Sequence, residues 1–311
     1  MSPCATVRYP FAHSALFYRG DDEYLAGVVP FITRGLADSE PVAVAVPTDR
    51  LTVVRAALGV AARRVRMLDM REVGRNPGGI LGGVLLAFAD EYSGRRVRIV
   101  GEPVWVGRSQ VEYSECVRHD ALINCAFVGR AATVLCPYDA DGLAADVLAD
   151  AARTHPVVMD RDGSRDSDTF APGVVAAEFN RPLPLPDNVT SLVVDVHGLA
   201  RLRQVVAGFG RARGLGGRQT DALVLVLTEL ATNSIEHAHS PATVLLGGVG
   251  DVVCCQVRDN GHITDRLAGR RPAPPGQSRG RGLLMVNQLA DLVRVHTEPG
   301  GTTVEVRFRA A

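Results

Sequence analysis

The sequence contains no lysine, because all 34 of its basic residues are arginine. A phosphate-binding P-loop of the Walker A type needs a lysine after its second glycine, so this chain cannot form one. The strand lysine of protein kinases and the lysine of Schiff-base enzymes are excluded for the same reason. A nucleotide site in this protein must therefore be built from other residues.

Long apolar runs are also lacking. The longest are Pro41–Pro47 and Ile80–Ala89, the second interrupted by two glycines, and both stay well below the ~18–20 residues of a membrane span. The stretch Met1–Pro10 has neither the charged nor the apolar region of a signal peptide. These features predict a cytoplasmic protein with no membrane partner.

Charge and aromatic content argue against a nucleic-acid partner. The net charge is +0, although residues 1–180 hold 19 Arg and 23 acids, a balance of −4, while residues 181–311 hold 15 Arg and 11 acids, a balance of +4. The second half contains only two aromatic residues, Phe209 and Phe308, which leaves little surface for base stacking.

The six cysteines form no CxxC pair, so the sequence predicts reduced, buried thiols rather than a disulfide framework. Cys116 and His119 lie three residues apart on a predicted helix, and Cys125 follows two turns later. Their side chains are metal ligands by type, but their spacing fits no standard site. A metal or redox role therefore stays open as an alternative.

The first 156 residues alternate strand-like and helix-like segments, which predicts an α/β domain with a parallel sheet covered on both faces. The predicted strands are 15–18, 41–47, 65–70, 97–105 and 132–137, and the predicted helices are 21–36, 48–58, 77–92, 109–127 and 141–153, with Thr48 as a helix cap. Ligands bind beyond the carboxyl ends of such strands, where Glu102, Trp105 and Tyr138 are expected.

The remaining sequence predicts a linker and a second domain. Residues 157–182 contain a polar run and lead into a proline-rich stretch, so we expect a linker with some ordered pieces. Residues 183–311 predict helices on one face of a mixed sheet, an α/β sandwich. Its predicted helices are 205–213, 219–237 and 282–290, and its predicted strands are 243–248, 252–258, 292–297 and 302–309.

Four polar motifs follow one another in this second domain. Glu229, Asn233 and His237 recur every four residues on one face of the helix 219–237, opposite an apolar face, which taken alone is equally typical of a solvated surface. The other motifs are a strand end at Arg258-Asp259-Asn260-Gly261, a glycine-rich helix start at Arg279-Gly280-Arg281-Gly282-Leu283, and a strand start at Gly301-Thr302-Thr303. A helix start with glycines presents free amides to phosphate groups.

In this order and spacing, the motifs resemble the Bergerat-fold ATPases of the GHKL superfamily, most closely the anti-sigma-factor serine kinases. The resemblance implies that Asn233 coordinates Mg²⁺ on ATP and that Asp259 binds the adenine amino group. It also implies that Glu229 either acts as the general base or positions the nucleophile. It implies that Gly261 lets adenine pack closely. Gly280, Arg281, Gly282 and Leu283 would cradle phosphates, Thr302 or Thr303 would hold adenine, and residues 262–279 would form the ATP lid.

The charge of the lid region agrees with this resemblance. Residues 258–281 carry six Arg and two Asp, a net +4, which would stabilise the phosphates of ATP. One departure is that Gly261 is followed by His262-Ile263, where many relatives have Gly-Pro or Gly-X-Gly. His237 and His239 are more typical of helix-end residues than of ligands.

The N-terminal half resembles the MEDS domain, the sensory module of DcmR-type regulators in methanogens and methylotrophs. The resemblance covers about residues 10–156 and depends on His13, the acidic helix start 19–23, Gly101–Trp105, Cys136–Asp139 and His155-Pro156. It implies an unidentified small-molecule ligand, with His13, Glu102, Trp105 and Tyr138 as pocket candidates. Each also has a structural interpretation, such as Trp105 in the core and Glu102 as a satisfied buried acid.

Together the resemblances predict a regulator with a sensory domain over 1–156, a linker over 157–182 and an ATPase domain over 183–311. The expected output is an anti-sigma factor that sequesters a sigma factor and phosphorylates a STAS-type antagonist on serine or threonine. One alternative is a nucleotide-binding protein that only sequesters its partner, and another is a ligand or redox sensor with a vestigial ATP site. Relatives of the ATPase domain commonly dimerise, which makes a homodimer one oligomeric state to test.

Overall fold

The computed structural model describes residues 11–272 and 280–310. The chain separates into two compact units, one made of Met1–Gly74 and Val84–Phe179 and the other of Arg75–Gly83 and Asn180–Ala311. Residues 1–10 of the predicted sensory domain and residues 273–279 of the predicted lid lie outside the described part. The exact domain boundaries stay a prediction.

The first unit contains a seven-stranded sheet in the order β3-β2-β4-β5-β1-β6-β7. All pairs among β1 to β6 are parallel, and β7 pairs with β6 in the antiparallel sense. The strands are β1 (Ala12–Tyr18), β2 (Val42–Val46), β3 (Val65–Asp69), β4 (Val97–Gly101), β5 (Ala132–Asp139), β6 (Val157–Asp160) and β7 (Gly163–Asp166). This arrangement confirms the predicted parallel α/β fold.

The helices of this half follow the predicted alternation. They are α1 (Gly20–Ala37), α2 (Thr48–Leu58), α3 (Met70–Val73), α4 (Pro77–Ile80), α5 (Ala87–Glu91), α6 (Gln110–Ala126), α7 (Ala145–Thr154) and α8 (Pro172–Glu178). However, α3 is an additional short helix and α7 begins later than predicted. The single helix predicted over 77–92 is divided by a π-helical turn, Leu81–Leu86. This turn contains two adjacent glycines, and glycine has a weak helix propensity. Thr48 begins α2 without capping it, because Pro47 occupies the cap position and the Thr48 hydroxyl donates to Asp69.

The stretch predicted as a linker contains three elements. β6 and β7 extend the sheet of the first unit, and α8 packs against α6 and α7. Every residue of β7 is exposed, so its sequence lacks the apolar alternation by which a half-buried strand is recognised.

The second unit is an antiparallel sheet with helices on one side. The sheet order is β11-β12-β10-β9-β8, and every described pair of neighbouring strands is antiparallel, so the expected mixed sheet is wrong while the α/β-sandwich class is confirmed. The elements are β8 (Thr190–Val194), α9 (Leu199–Ala212), α10 (Gly217–His237), β9 (Ala242–Val249), β10 (Val252–Asp259), α11 (Gly282–Leu289), β11 (Leu292–Glu298) and β12 (Gly301–Arg309).

The core of the second unit fixes the orientation of α10. Its apolar residues Leu223, Leu227 and Leu230 are buried in one cluster with α9, α11 and the inner face of the sheet. Burying a leucine side chain contributes roughly 1.5–3 kcal/mol, so these three positions hold the helix in one rotation about its axis. The polar stripe at Glu229 and Asn233 is therefore placed on a defined side of the helix.

A short piece of chain from the first half is part of the second unit. The buried Asn76 donates from Nδ2 to the Asn287 carbonyl oxygen at 2.7 Å, and its Oδ1 accepts from the Val293 backbone N–H at 3.2 Å. These bonds fasten residues 75–83 to the end of α11 and the start of β11.

Among the described helices, none combines the length and the apolar character that crossing a bilayer requires.

Candidate functional site

A cavity of about 460 Å³ opens in the second unit. This volume lies within the ~300–1,000 Å³ of typical small-molecule sites. Its walls come from α10, the ends of β10 and β12, the segment 261–272 and the start of α11. Eight of the predicted site residues line it, namely Glu229, Asn233, Asp259, Gly261, Gly280, Gly282, Leu283 and Thr302.

The polar stripe of α10 forms one wall of this cavity. Glu229, Asn233 and His237 all line it, as the four-residue spacing on a helix requires. Glu229 and Asn233 are half-buried, whereas His237 is exposed at the end of the helix. The wall therefore offers one carboxylate and one amide away from the helix end.

Asp259 is held in place by two hydrogen bonds at the end of β10. Its Oδ2 accepts from the Ser234 hydroxyl at 2.6 Å, and its Oδ1 accepts from the Gly261 backbone N–H at 2.7 Å. A carboxylate offers about four lone-pair positions, so it can still accept from a ligand. The sequence did not indicate Ser234, because its bond to Asp259 depends on the buried position of Ser234 next to the end of β10.

Gly261 allows the turn after β10 to lie directly against α10. A Cβ at this position would lie 2.8 Å from the Ala238 Cβ and 3.0 Å from Asp259 Oδ1. The first separation is shorter than real Cβ contacts and the second is tighter than most of them, so this position favours glycine. His262 and Ile263, which depart from the expected motif, also line the cavity.

Two threonine hydroxyls connect the start of β12, the end of β11 and the segment after β10 by hydrogen bonds. Thr302 Oγ1 donates to the Gly261 carbonyl oxygen at 2.8 Å and lies 2.7 Å from Thr297 Oγ1, which accepts from the Ile263 N–H at 2.9 Å. Thr303 does not line the cavity, because adjacent residues on a strand point to opposite faces. The sequence did not indicate Thr297, since its role depends on Ile263, which is 34 residues away in the chain.

Replacing Thr302 with valine tests this network. Because the substitution leaves the Gly261 carbonyl without its donor, we expect the free energy of unfolding to fall by about 1–3 kcal/mol. Thr303→Val is the matched control on the opposite face and should change stability by less than ~0.5 kcal/mol. Urea unfolding of both variants compares them, and equal losses would contradict the assigned role of Thr302.

The start of α11 brings backbone amides next to Glu229. A Cβ at Gly282 would lie only 1.8 Å from Glu229 Oε1, so any larger residue at this position would displace the carboxylate. Gly280 adopts φ +89°, a left-handed conformation that favours glycine. The first amides of a helix lack intrahelical acceptors, and they bind anions readily. Arg281 occupies the N-cap position and is exposed without lining the cavity.

The described part of the 262–279 segment adds charge to the cavity rim. Arg271 and Asp265 both line the cavity and form an exposed ion pair at 3.0 Å. Exposed pairs contribute little stability, so this arginine can exchange its partner for an anionic ligand at small cost.

The four pocket candidates of the first unit do not form one group. His13 is the second residue of β1 rather than a residue before it, and its ring lies 4.0 Å from that of His155. Tyr138 also contacts His155, with ring centroids 5.6 Å apart, and donates to Asp120 at 2.5 Å. Trp105 is half-buried elsewhere, stacked with the Arg108 guanidinium at 4.1 Å.

Glu102 follows β4 and is 2 % exposed. Its Oε1 accepts from the Tyr18 hydroxyl at 3.2 Å, while its Oε2 has no hydrogen-bond partner in the described part of the chain. Burial raises the pKa of this carboxyl from 4.5 to about 8, opposed by the nearby charge of Arg50. Glu102 is thus a protonated buried acid at neutral pH, satisfied at one oxygen only.

The raised pKa predicts a pH-dependent stability. Between pH 4.5 and about 8 the folded protein holds a proton at Glu102 that the unfolded chain has released. The free energy of unfolding should therefore fall as pH rises through this window, by at most about 1.4 kcal/mol per pH unit from this group. Glutamine has the shape of a protonated glutamic acid and does not titrate. Glu102→Gln should therefore reduce the dependence of the free energy of unfolding on pH. Denaturant unfolding across the window measures it, and identical slopes in both proteins would contradict the assignment.

Comparisons with known proteins match both halves of the chain. Residues 12–156 match the family described as MEDS, the methanogen/methylotroph DcmR sensory domain, and residues 193–308 match the histidine kinase-like ATPase domain. The crystal structure of the RsbU and RsbW domains of Rv1364c from Mycobacterium tuberculosis is similar to 41% of this chain at 20% identity and a TM-score of 0.31. That match spans 33% of the mycobacterial chain. No curated protein matches the sequence.

Proposed function

We propose that this chain, which carries a MEDS sensory domain and a histidine kinase-like ATPase domain, binds ATP in the cavity beside α10. The observation that carries the proposal is that the fixed Asp259 carboxylate and the start of α11, with its free backbone amides, both contact α10. Asp259 contacts α10 at Ser234, and the start of α11 lies against Glu229. These contacts are five residues apart, or about 7–8 Å along the helix, so a base and its phosphates can occupy separate subsites.

The Asp259 subsite suits adenine. The exocyclic amino group of adenine is a donor, and the remaining lone pairs of the Asp259 carboxylate are acceptors. Because Ser234 and Gly261 fix the carboxylate, its orientation does not have to be organised when the ligand binds. Gly261 leaves the wall flat enough for a base to pack against the backbone.

The α11 subsite suits the phosphates and Mg²⁺. Amides at the start of α11 would donate to phosphate oxygens, and Arg271 at the rim would add a positive charge. The amide oxygen of Asn233 is a hard ligand of the kind that Mg²⁺ prefers alongside phosphate oxygens and water. The residues present therefore fit Mg-ATP, with Asn233 as the protein ligand of the ion, which would neutralise phosphate charge.

The proposed reaction is phosphoryl transfer to a serine or threonine hydroxyl of a STAS-type anti-sigma antagonist. The Glu229 carboxylate, which lies against the start of α11, would accept the proton of that hydroxyl as the γ-phosphate is transferred. The same domain would sequester a sigma factor, and the MEDS domain would regulate both activities through a small-molecule ligand. We propose a cytoplasmic location for this regulator.

A second candidate function is nucleotide-dependent sequestration without catalysis. The cavity, Asp259 and Asn233 serve it equally well. The Glu229 carboxylate at the phosphate subsite favours catalysis, because nucleotide binding alone needs no negative charge next to phosphates. A sensor with a vestigial ATP site is the third candidate, and it requires only the first unit to bind a ligand.

Calorimetric titration of the full chain tests nucleotide binding. We expect saturable ATP binding that strengthens with Mg²⁺, and binding of GTP weaker by about 100-fold or more, because guanine presents a carbonyl to the Asp259 carboxylate. Equal affinities for ATP and GTP would contradict the assignment of Asp259 to adenine recognition. Absence of ATP binding would overturn the proposal and leave the vestigial-site alternative.

A further inference from the structure

Three side chains that are metal ligands by type meet inside the first unit. His13 comes from β1, Cys136 from the adjacent β5, and His155 from the residue after α7. All three are fully buried, and one ligand atom from each lies within 4.8 Å of the others. In residues 11–272 and 280–310, this is the single group of three or more such residues with that spacing.

The hydrogen bonds of His13 fix which ring nitrogen is available. The Asn124 side chain donates from Nδ2 to the Thr154 carbonyl oxygen at 2.8 Å and to carbonyl oxygens of its own helix, so its Oδ1 must face His13. His13 Nδ1 therefore carries the proton and donates to that oxygen at 3.2 Å. The lone pair of Nε2 faces the Cys136 sulfur, 3.5 Å away.

His155 is oriented in the same way. Its Nδ1 donates to the Ala151 carbonyl oxygen at 2.8 Å, which leaves the lone pair on Nε2. That Nε2 is buried and has no hydrogen-bond partner in the described part of the chain. A histidine whose Nδ1–H is held by a carbonyl while Nε2 stays open has the tautomer of a metal ligand.

A purely internal hydrogen-bond network does not account for the cluster. A Cys136 S–H donating to His13 Nε2 would satisfy those two residues and leave His155 Nε2 unpaired in the interior. Burying an unpaired polar group is unfavourable. A metal ion would engage all three groups at once.

The protonation states agree with ligation by nitrogen. Burial lowers the pKa of His155 to about 4, and burial together with the nearby His155 lowers the pKa of His13 well below its ordinary value. Both imidazoles are therefore neutral at pH 7. Burial raises the pKa of the Cys136 thiol, so a bound cation would have to displace its proton to solvent.

We propose that His13, Cys136 and His155 form a binding site for a divalent ion of borderline softness, with Zn²⁺ as the best match. Two imidazole nitrogens and one thiolate suit such an ion, and three protein ligands leave a fourth position open. A small ligand could occupy that position, which would give the sensory unit a chemical means of detecting it. The cluster differs from the Cys116, His119 and Cys125 set suggested by sequence spacing, in which Cys116 donates to the Pro103 carbonyl oxygen and Cys125 is exposed.

Co²⁺ replaces Zn²⁺ as a visible probe in the test. The full chain is stripped of metal and titrated with Co²⁺ while its absorption spectrum is recorded. We expect one ion per chain, with a thiolate-to-cobalt charge-transfer band in the near ultraviolet. Cys136→Ser should lose this band and weaken binding by more than the roughly 10–100-fold of an outer-shell change. Cys125→Ser, which alters an exposed cysteine outside the cluster, should behave as the wild type.

A substitution at Asn124 tests independently whether His13 binds the metal through Nε2 while its Nδ1 carries the proton. Asn124→Ala removes the acceptor of the His13 Nδ1–H, so affinity should fall about 10–100-fold while the charge-transfer band is retained. If Cys136→Ser does not fold, X-ray absorption at the metal edge of the wild type must show two nitrogens and one sulfur. A wild type without a thiolate band, a band that persists in folded Cys136→Ser, or a shell without sulfur would overturn the proposal.

Discussion

Asn233→Ala is expected to abolish the Mg²⁺-dependent binding of ATP while the protein remains folded. Asn233 lines the cavity one turn from Glu229, and its amide is the oxygen ligand that we assign to the ion. Without it, the groups assigned to the phosphates in residues 11–272 and 280–310 are the amides at the start of α11 and the exposed Arg271. Calorimetric titration with ATP, with and without Mg²⁺, measures the loss.

The same substitution should leave stability unchanged or slightly raised. Alanine is a better helix former than asparagine by up to about 0.7 kcal/mol, and Asn233 is only half-buried. Glu236→Ala is the matched control, because Glu236 is an exposed residue of α10 outside the cavity. It should bind Mg-ATP as the wild type does. Asn233→Ala with retained Mg-ATP affinity would show that the ion has another ligand.

Elements with strong local patterns were predicted closely from the sequence. α10 extends over Gly217–His237 against a predicted 219–237, and α2 coincides with its predicted range. Apolar residues at helical spacing determine both, and that signal needs no knowledge of distant contacts. Three of the four polar motifs lie at the ends of strands or at the start of a helix, and the fourth lies on one face of α10, which is why most of the assigned residues line one cavity.

Elements that depend on distant partners were missed. β8 was not predicted, since its residues are mostly exposed and it forms a strand by pairing with β9. The polar strand β7 depends in the same way on β6. Edge strands of this kind bury too little apolar surface to produce a periodic sequence signal.

The same limit applies to the two sites. Ser234 acquires its role from the end of β10, 25 residues away at Asp259, and Thr297 acquires its role from Ile263, 34 residues away in the segment after that strand. In the proposed metal site, His13 and Cys136 are 123 residues apart in the chain. Sequence spacing suggested only Cys116, His119 and Cys125, which are neighbours on one helix. Adjacent strands of a parallel sheet bring such residues together, and their pairing is not encoded in local spacing.

Glu229→Gln separates catalysis from binding. The two side chains have the same shape, so the close contact with Gly282 and the wall of the cavity should be preserved. ATP affinity is expected to stay the same or rise, because a negative charge next to the phosphates is removed. Phosphoryl transfer should fall by about 10²–10⁴-fold, the usual contribution of a general base. Radiolabelled ATP and a purified STAS-domain protein as acceptor give the transfer rate.

The control for this experiment is Glu236→Gln, which makes the same chemical change outside the cavity and should leave both quantities unaltered. If the wild type transfers phosphate and Glu229→Gln transfers it equally fast, Glu229 is not the base. If the wild type binds Mg-ATP and retains a sigma factor but transfers nothing to any STAS acceptor, the domain acts by sequestration. In that case the Glu229 side chain would serve only to pack α10 against the start of α11, and Glu229→Gln, which preserves this packing, would leave partner retention unchanged.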